Sequence, residues 1–322
     1  MKVYRSFDEA RAARLGATVA TLGVFDGVHV GHRHVIRECV TLSVERALAS
    51  VVVTFVQHPR AIIAGRAPKL ITSIRHRFRL FEELGVDHVL ALDFDRRLQQ
   101  MPAAEFAHLV FEDILHARVV VLGHNCRFGR NREGGADFLI AHGDEFSFEV
   151  KHAEEIRVGT EILSSTAIRQ AIERGDLEAA SRMLGRPYSL FGKVVRGDGR
   201  GRTIGFPTAN LDLDHELLPP NGVYGAIARL NGERHLALLN IGCRPTVDPG
   251  RTLPVVEAHL LDFEGDLYGK NLEVIFLMRI RDERRFDSLD ALVARIEQDR
   301  EELLRYQAEG AAGKNRCGKI DT

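Results

Sequence analysis

The segment GVFDGVHVGH, residues 23–32, places three glycines and two histidines where a short apolar strand passes into a helical pattern. Glycine lets the backbone pass close to a phosphate group, and a helix N-terminus offers free N–H groups and the positive end of a dipole. His29 and His32 add side-chain donors. The segment therefore predicts a site that stabilises an anion; the simpler alternative is a glycine turn flanked by ordinary surface histidines.

Two other nucleotide-binding signatures are missing from the sequence. No GxGxxG follows the first strand, and no GxxxxGK[ST] occurs anywhere. Dinucleotide oxidoreductases and P-loop enzymes therefore lack their main signature.

Four segments, in order, resemble one enzyme family. The HVGH of residues 29–32 resembles the HxGH of nucleotidyltransferases, which join a nucleotide's α-phosphate to an acceptor and release pyrophosphate. LSSTAIR at 163–169 resembles their ISSTxxR element, in which hydroxyls, a helix N-terminus and an arginine hold the leaving phosphates. TFVQHP at 54–59 and VLGHNCRFG at 121–129 resemble internal segments of the bacterial bifunctional riboflavin kinase/FMN adenylyltransferases.

That resemblance implies roles for individual residues of the N-terminal half. His29 and His32 would be catalytic and would stabilise developing charge. ATP or phosphate binding is implied for Gly23, Phe25, Asp26, Gly31, Ser164, Ser165, Thr166 and Arg169. Flavin binding is implied for His58, Asn125 and, in the C-terminal half, Arg281.

Two residues depart from the family pattern. Gln57 stands where proline is common, and Cys126 replaces the aromatic residue that usually follows position 125. We expect the first change to be harmless. Cys126 is expected either to alter flavin placement or to serve only as core packing, since free cysteine behaves as a small hydrophobe.

A second glycine-rich segment, VVRGDGRGRTIGFPTANL, covers residues 194–211. Its backbone N–H groups and arginines could hold a polyphosphate, although a solvated hairpin turn would explain the glycines alone. The candidate ATP or phosphate ligands are Gly197, Gly199, Arg200, Gly201 and Arg202.

PTAN at 207–210 resembles an element of riboflavin kinases, and this implies that Thr208 and Asn210 hold or orient Mg²⁺, which prefers oxygen ligands. Glu257 in VVEAHLLDF stands where that family has its general base. A solvent-facing strand position is the alternative for Glu257. His259 lies on the same strand face and is expected to be structural.

The elements that must position these residues differ between the two halves. From residue 17 to 150, β-rich runs alternate with helical patterns, which predicts an α/β fold with a doubly wound parallel sheet. By resemblance it is a Rossmann-like nucleotidyltransferase domain. The predicted strands are 17–22, 50–56, 87–92 and 117–122; the predicted helices are 35–49, 74–84, 103–115 and a pair within 164–185.

After Pro187, β-rich runs follow one another without helices, which predicts a small antiparallel barrel or sandwich; the resemblance implies the β-barrel of riboflavin kinases. Asn231-Gly232 predicts a type I′ hairpin. An amphipathic helix with Leu289, Leu292 and Ile296 on one face closes this domain. The expected domains are 1–185 and 186–308, followed by a disordered tail at 309–322.

Composition bounds the class of protein. The 322 residues are 45% hydrophobic and 28% charged, which is typical of a globular protein with two domains. Because 44 basic and 45 acidic side chains nearly cancel, no global field attracts nucleic acid or a membrane. Four scattered cysteines without a CxxC pair favour a reducing compartment, so we expect a cytoplasmic location with neither export nor membrane insertion.

The resulting hypothesis is a bifunctional enzyme that uses riboflavin, FMN and ATP as small-molecule partners, with Mg²⁺ as cofactor. The C-terminal site would phosphorylate riboflavin, and the N-terminal site would adenylylate FMN to FAD. Two alternatives stay open: a riboflavin kinase with an impaired adenylyl site, which Cys126 motivates, and a flavin-binding sensor or carrier without turnover. The general base at Glu257 argues against the second.

Overall fold

The computed structural model describes residues 1–63, 65, 67–156, 163–197, 199–214, 216–245 and 252–316. The chain forms two compact units. The first comprises residues 1–170, 179–186 and 215–217, and the second comprises residues 171–178, 187–214 and 218–322.

A six-stranded parallel sheet forms the centre of the first unit, in the order β1-β4-β3-β2-β5-β6. Because the chain moves from β2 to one side and then returns to β5 on the other, the order reverses between these two strands. Ligands of doubly wound sheets bind at such a reversal. The strands are β1 (Lys2–Tyr4), β2 (Thr18–Leu22), β3 (Ala49–Phe55), β4 (His88–Leu92), β5 (Ala117–Gly123) and β6 (Glu149–Ala153).

Helices connect these strands, as the alternating pattern predicts. The longest of them, α2, has His29 as its N-cap and therefore begins earlier than the predicted residue 35. The π-helix His108–Ile114 directly continues α6. The helices are α1 (Phe7–Ala12), α2 (Val30–Glu45), α3 (Arg60–Ile63), α4 (Ile74–Glu83), α5 (Arg96–Gln100), α6 (Ala103–Ala107), α7 (Ala136–Ala141), α8 (Ser165–Glu173) and α9 (Leu177–Leu184).

Both faces of the sheet are buried, which confirms the doubly wound architecture. Successive strand residues alternate between two hydrophobic clusters, as side chains of a strand must. On β3, Val51 and Val53 belong to the cluster that includes Phe106 and Phe111, whereas Val52 packs with Leu80 and other residues on the opposite face. Continuous burial explains why these strands read as unbroken apolar runs.

The second unit contains a closed antiparallel barrel of six strands in the order β10-β11-β8-β7-β12-β9. This confirms the predicted barrel. Asn231 and Gly232 both have positive φ and join β9 to β10 as the predicted two-residue hairpin. The strands are β7 (Ser189–Val195), β8 (Ala209–Asp212), β9 (Gly222–Leu230), β10 (Glu233–Pro245), β11 (Thr252–Leu260) and β12 (Asn271–Arg281).

Two helices accompany the barrel, the four-residue α10 (Arg200–Thr203) and the long α11 (Leu289–Arg316). Helix α11 therefore extends into the segment 309–322 that we expected to be a tail; residues 317–322 lie outside the described part. Leu303 of α11 is fully buried with Leu238 and Leu261. In the part of the chain that the structure describes, no helix has both the length and the apolarity to cross a bilayer.

A buried ion pair joins α11 to β12. The Asp299 carboxylate is 1% exposed and accepts hydrogen bonds from Nε of Arg281 at 3.0 and 3.1 Å, with Nη2 at 2.9 Å. Arg295 lies 2.9 Å from the same carboxylate. A buried carboxylate that loses its partners is costly, so this contact fixes the helix on the barrel.

We predict that Asp299→Asn lowers the free energy of unfolding of the barrel by about 3 kcal/mol, because it breaks a buried, charge-assisted pair. The matched control is Asp262→Asn, whose partner Arg300 lies 3.4 Å away on the surface and whose loss costs about 1 kcal/mol or less. Urea denaturation followed by hydrogen exchange of β12 and α11 measures both. Equal effects of the two substitutions would contradict the role of Asp299.

Candidate functional site

The glycine and histidine turn lies at the carboxyl end of β2, where the strand order reverses. Three of its residues have positive φ: Phe25 at 52°, Gly27 at 84° and Val28 at 41°. A β-branched residue rarely adopts this conformation, so neighbouring contacts must hold the turn in place. Such over-determined turns are found at functional sites.

The Asp26 carboxylate holds this turn. It is 2% exposed and accepts hydrogen bonds from the backbone N–H groups of Ile71 and Thr72 at 3.0 Å and from the Thr72 hydroxyl at 3.3 Å. It also pairs with Nη2 of Arg169 at 2.5 Å. The turn, the loop before α4 and helix α8 therefore meet at one buried anion.

His29 and His32 stack on each other, with ring centroids 3.5 Å apart and planes inclined by 19°. Nδ1 of His29 accepts the backbone N–H of His32 at 3.3 Å. A neutral imidazole with Nδ1 as acceptor carries its proton on Nε2, which is then a hydrogen-bond donor. The rings of Phe25 and His32 are nearly perpendicular, with centroids 5.3 Å apart.

Burial keeps both imidazoles neutral. Loss of solvent, followed by the nearby charge of Arg186, lowers the pKa of His29 to about 4. The pKa of His32 is well below its usual value, first through burial and then through His29, Arg77 and Arg186. The pair consists of neutral donors in an electropositive setting, which suits the stabilisation of a phosphate oxyanion.

The second predicted motif begins helix α8. Ser164 caps the helix, because its Oγ accepts the N–H of Ala167 at 3.2 Å. Ser165 Oγ donates to the backbone oxygen of Asp26 at 3.1 Å, and Thr166 is exposed. Arg169 also donates from Nε to Lys69 O at 2.8 Å. The two motifs, far apart in sequence, are in contact through Asp26.

Sequence reasoning missed two residues that fasten the turn. Thr72 Oγ1 accepts the N–H of Gly27 at 2.8 Å. Arg186 donates to the carbonyl oxygens of Gly27 and Val28 at 2.9 and 3.1 Å. Neither residue lies in a recognisable motif, so no local signal could have found them.

The predicted flavin ligands of the first unit follow the carboxyl ends of β3 and β5. Nδ1 of His58 accepts the N–H of Arg60 at 3.2 Å, and burial lowers the pKa of His58. Asn125 is exposed. Cys126 donates from Sγ to Leu22 O at 3.2 Å, and burial raises the pKa of its thiol to about 12. Cys126 is therefore an unreactive packing residue beside the turn.

In the second unit, the barrel register places Glu257 of β11 directly opposite Asn210 of β8. Side chains at paired antiparallel positions lie on the same face with Cβ atoms about 5 Å apart. Both residues are half-buried, whereas their neighbours Ala209 and Ala258 are buried in the barrel. A carboxylate and an amide oxygen are therefore adjacent on the outer face.

The glycine-rich segment fits closely around PTAN. A Cβ at Gly197 would clash with the side-chain amide of Asn210, and one at Gly201 would clash with the backbone oxygen of Phe206. His259 Nδ1 donates to Pro207 O at 2.8 Å, which gives His259 the structural contact that we expected. Thr208 is half-buried beside Gly201.

The other residues predicted for the second unit are exposed, have other partners or have side chains outside the described part. Gly199 and Arg202 are exposed, Gly199 has a φ of 70°, and the side chain of Arg200 lies outside the described part. The guanidinium of Arg281 is engaged by Asp299 and donates to Asp282 O. In this arrangement Arg281 supports α11, and its predicted role in flavin binding stays a prediction.

We predict that the His29 imidazole titrates near pH 4 with its neutral proton on Nε2. Its folded pKa is lowered from 6.5, so lowering the pH from 7 to about 5.5 leaves it neutral, while an unfolded chain would already bind protons. Nitrogen-resolved NMR of labelled histidines measures both features, and His29→Gln assigns the signal. A midpoint near pH 6.5, or a proton on Nδ1, would contradict the burial argument.

Two family models match the chain, one in each unit. The model described as FAD synthetase matches residues 12–167, and the model described as riboflavin kinase matches residues 184–307. A crystal structure described as a macrolide-efflux protein from Streptococcus pneumoniae is 31% identical, with a TM-score of 0.77, and the match covers 93% of this chain and 97% of that one.

Curated relatives match over nearly their whole length. The bifunctional riboflavin kinase/FMN adenylyltransferase of Escherichia coli strain K12 is 39% identical over 303 residues, which cover 93% of this chain and 96% of the relative. The protein of the same description from Haemophilus influenzae is 36% identical, with 93% and 97% covered. The chain belongs to the bifunctional riboflavin kinase/FMN adenylyltransferase family.

Proposed function

We propose that the chain catalyses two consecutive ATP-dependent transfers, phosphorylation of riboflavin to FMN in the barrel and adenylylation of FMN to FAD in the N-terminal unit. The observation that carries the proposal is the cross-strand pairing of Glu257 with Asn210. A general base beside an oxygen ligand serves phosphorylation of a hydroxyl. A flavin sensor or carrier would have no need of that pair.

In the kinase reaction, Glu257 accepts the proton of the ribityl 5′-hydroxyl of riboflavin. The hydroxyl oxygen bonds to the γ-phosphorus of ATP while the bond from that phosphorus to the bridging oxygen breaks, and ADP leaves. The glycine-rich segment lies against Asn210, which supports its backbone N–H groups and Arg202 as the proposed phosphate ligands. Positioning and electrostatics supply most of the stabilisation in such transfers.

The donor set of this site fits Mg²⁺. Thr208 and Asn210 offer neutral oxygens, and hard Mg²⁺ prefers oxygen ligands together with substrate phosphates. When bound, the ion would neutralise phosphate charge. The paired strands hold Asn210 and Glu257 on one face whether or not the ion is present.

In the adenylyl reaction, a phosphate oxygen of FMN attacks the α-phosphorus of ATP, and pyrophosphate leaves with the electron pair of the broken bond. The FMN phosphate is already ionised, so no general base is needed. His29 donates from Nε2 and stabilises charge on the α-phosphate with His32. Thr166 and the N-terminus of α8 are available for the leaving pyrophosphate, and Arg169 is held at the same edge by Asp26.

The alternative, a kinase with an impaired adenylyl site, rests on Cys126. Its thiol is packed against Leu22 O and lies apart from the contacts that hold Asp26, His29 and Arg169. We therefore expect Cys126 to affect the affinity for FMN more than the transfer itself. We also place both reactions in the cytoplasm, which the free thiols of Cys39, Cys126 and Cys243 support.

Reciprocal substitutions test the proposal. His29→Ala is expected to lower FAD formation from FMN about 100-fold or more by removing a donor to the transition state, while FMN formation from riboflavin persists. Glu257→Gln is expected to lower FMN formation about 100-fold or more by removing the base, while FAD formation from supplied FMN persists. Chromatography of the flavin products measures both.

Each variant carries its own control, because the unaltered site reports whether the protein is intact. If the unaltered protein makes FMN but no FAD, the kinase-only alternative holds. If it makes neither product with ATP and Mg²⁺, the proposed function fails. Loss of both activities in both variants would contradict two independent sites.

The close contact of Gly197 with Asn210 gives a further prediction. Gly197→Ala is expected to lower FMN formation at least about tenfold, because the added methyl group displaces the Asn210 side chain. FAD formation from FMN should be unchanged. Gly16→Ala is the matched control, since its Cβ would meet no atom within 4 Å. Unchanged kinase activity in Gly197→Ala would show that the position of Asn210 is unimportant.

A further inference from the structure

Arg77 of helix α4 is a fully buried arginine. Its exposure is 0%, and it is among the largest side chains that the structure buries completely. Arginine is almost never fully buried unless it is paired, because a charge taken out of water without compensation is expensive. The side chain therefore calls for a functional explanation.

The acceptors around Arg77 are neutral. Nη1 donates to Val24 O at 2.7 Å and to Thr54 Oγ1 at 3.2 Å, and Nη2 donates to Val56 O at 3.3 Å. Nε is buried without a hydrogen-bond partner, and the neighbouring carboxylate of Asp26 pairs with Arg169. Burial lowers the pKa of Arg77 to about 10, so the group stays charged near neutral pH.

The positions of these hydrogen-bond acceptors show where the charge of Arg77 lies in the fold. Val24 lies in the glycine and histidine turn after β2, and Val56 directly follows β3, so the guanidinium spans the carboxyl ends of two neighbouring strands. Burial is the main cause of the lowered pKa of His32 and of His58, and the charge of Arg77 adds to it; Asp26 is the acidic group that acts on Arg77 in return. Arg77 therefore lies behind the surface where the polyphosphate is proposed to bind.

An uncompensated cation next to neutral donors has a specific consequence. Asp26 already pairs with Arg169 and with the backbone of the loop at 71–72, so it leaves the positive charge of Arg77 largely unneutralised. Because little water screens it, such a charge raises the affinity of the site for an anion that lies several ångströms away. The negative charge of a bound polyphosphate would then neutralise the positive charge of Arg77.

We propose that Arg77 is a positioning residue of the adenylyl-transfer site, where its buried charge draws in the polyphosphate. This inference rests on the proposed adenylyl transfer at the same turn. It differs from a purely structural role, in which only the hydrogen bonds to Val24, Thr54 and Val56 would matter.

Two substitutions separate charge from structure. Arg77→Lys keeps the charge and loses the planar fork, whereas Arg77→Gln loses both the charge and the fork but keeps a donor. We expect Arg77→Lys to bind inorganic pyrophosphate and ATP within about threefold of the unaltered protein, and Arg77→Gln to bind both at least about tenfold more weakly, a change of roughly 1.4 kcal/mol.

Three measurements read out the effect. Calorimetry with inorganic pyrophosphate gives the affinity without turnover. Steady-state kinetics of FAD formation should show the loss in Arg77→Gln mainly as a higher KM for ATP, and the acid limb of its pH profile should move to higher pH because His32 loses a repelling charge. FMN formation from riboflavin should be unchanged in both variants.

The outcomes decide the proposal. Equal weakening in Arg77→Lys and Arg77→Gln, or failure of the parallel sheet to fold in both by hydrogen exchange, would assign Arg77 a structural role and overturn the inference. Unchanged pyrophosphate affinity in Arg77→Gln would also overturn it. If the unaltered protein formed no FAD, the proposed function would fail, but the pyrophosphate comparison would still decide the role of the charge.

Discussion

The first unit depends on one buried anion, the carboxylate of Asp26. A turn with three positive φ values is not a conformation that its own residues prefer, and the backbone of Val28 in particular must be held there. Asp26 does so by accepting hydrogen bonds from Ile71 and Thr72 and by pairing with Arg169. The same contacts bring the HxGH turn and the start of α8 together, so the proposed phosphate site and the stability of the turn have one origin.

In the second unit, the pairing register of the strands positions the candidate residues. Closing the barrel leaves no free edge in the ring of strands, and a shift of one residue would turn Glu257 into the barrel and Ala258 out of it. Burial of Ala258 therefore fixes the face on which Glu257 lies. The adjacency of Glu257 and Asn210 follows from core packing, and no direct contact between the two is required to maintain it.

The sequence predicts elements better than contacts. Continuous apolar runs such as 50–56 predict buried parallel strands, and Asn231-Gly232 predicts its hairpin, because both are local patterns. The early start of α2 was not predicted, since His29 is an unusual N-cap. Thr72 and Arg186 contribute through contacts with residues more than forty positions away, and no local spacing records such contacts. For Arg77, an ordinary helical pattern conceals the burial that makes it unusual.

The two reactions place different demands on charge, and the units differ accordingly. A hydroxyl gives up its proton as it attacks phosphorus, and the proposed kinase site accordingly has the Glu257 carboxylate on an accessible strand face. The FMN phosphate arrives ionised, and a carboxylate facing it would repel both substrates. In the N-terminal unit the buried carboxylate of the turn, Asp26, is accordingly saturated by donors. In our proposal neutral imidazoles line the site and the charge of Arg77 lies behind it, because an anion that attacks an anion needs its repulsion offset before any bond forms.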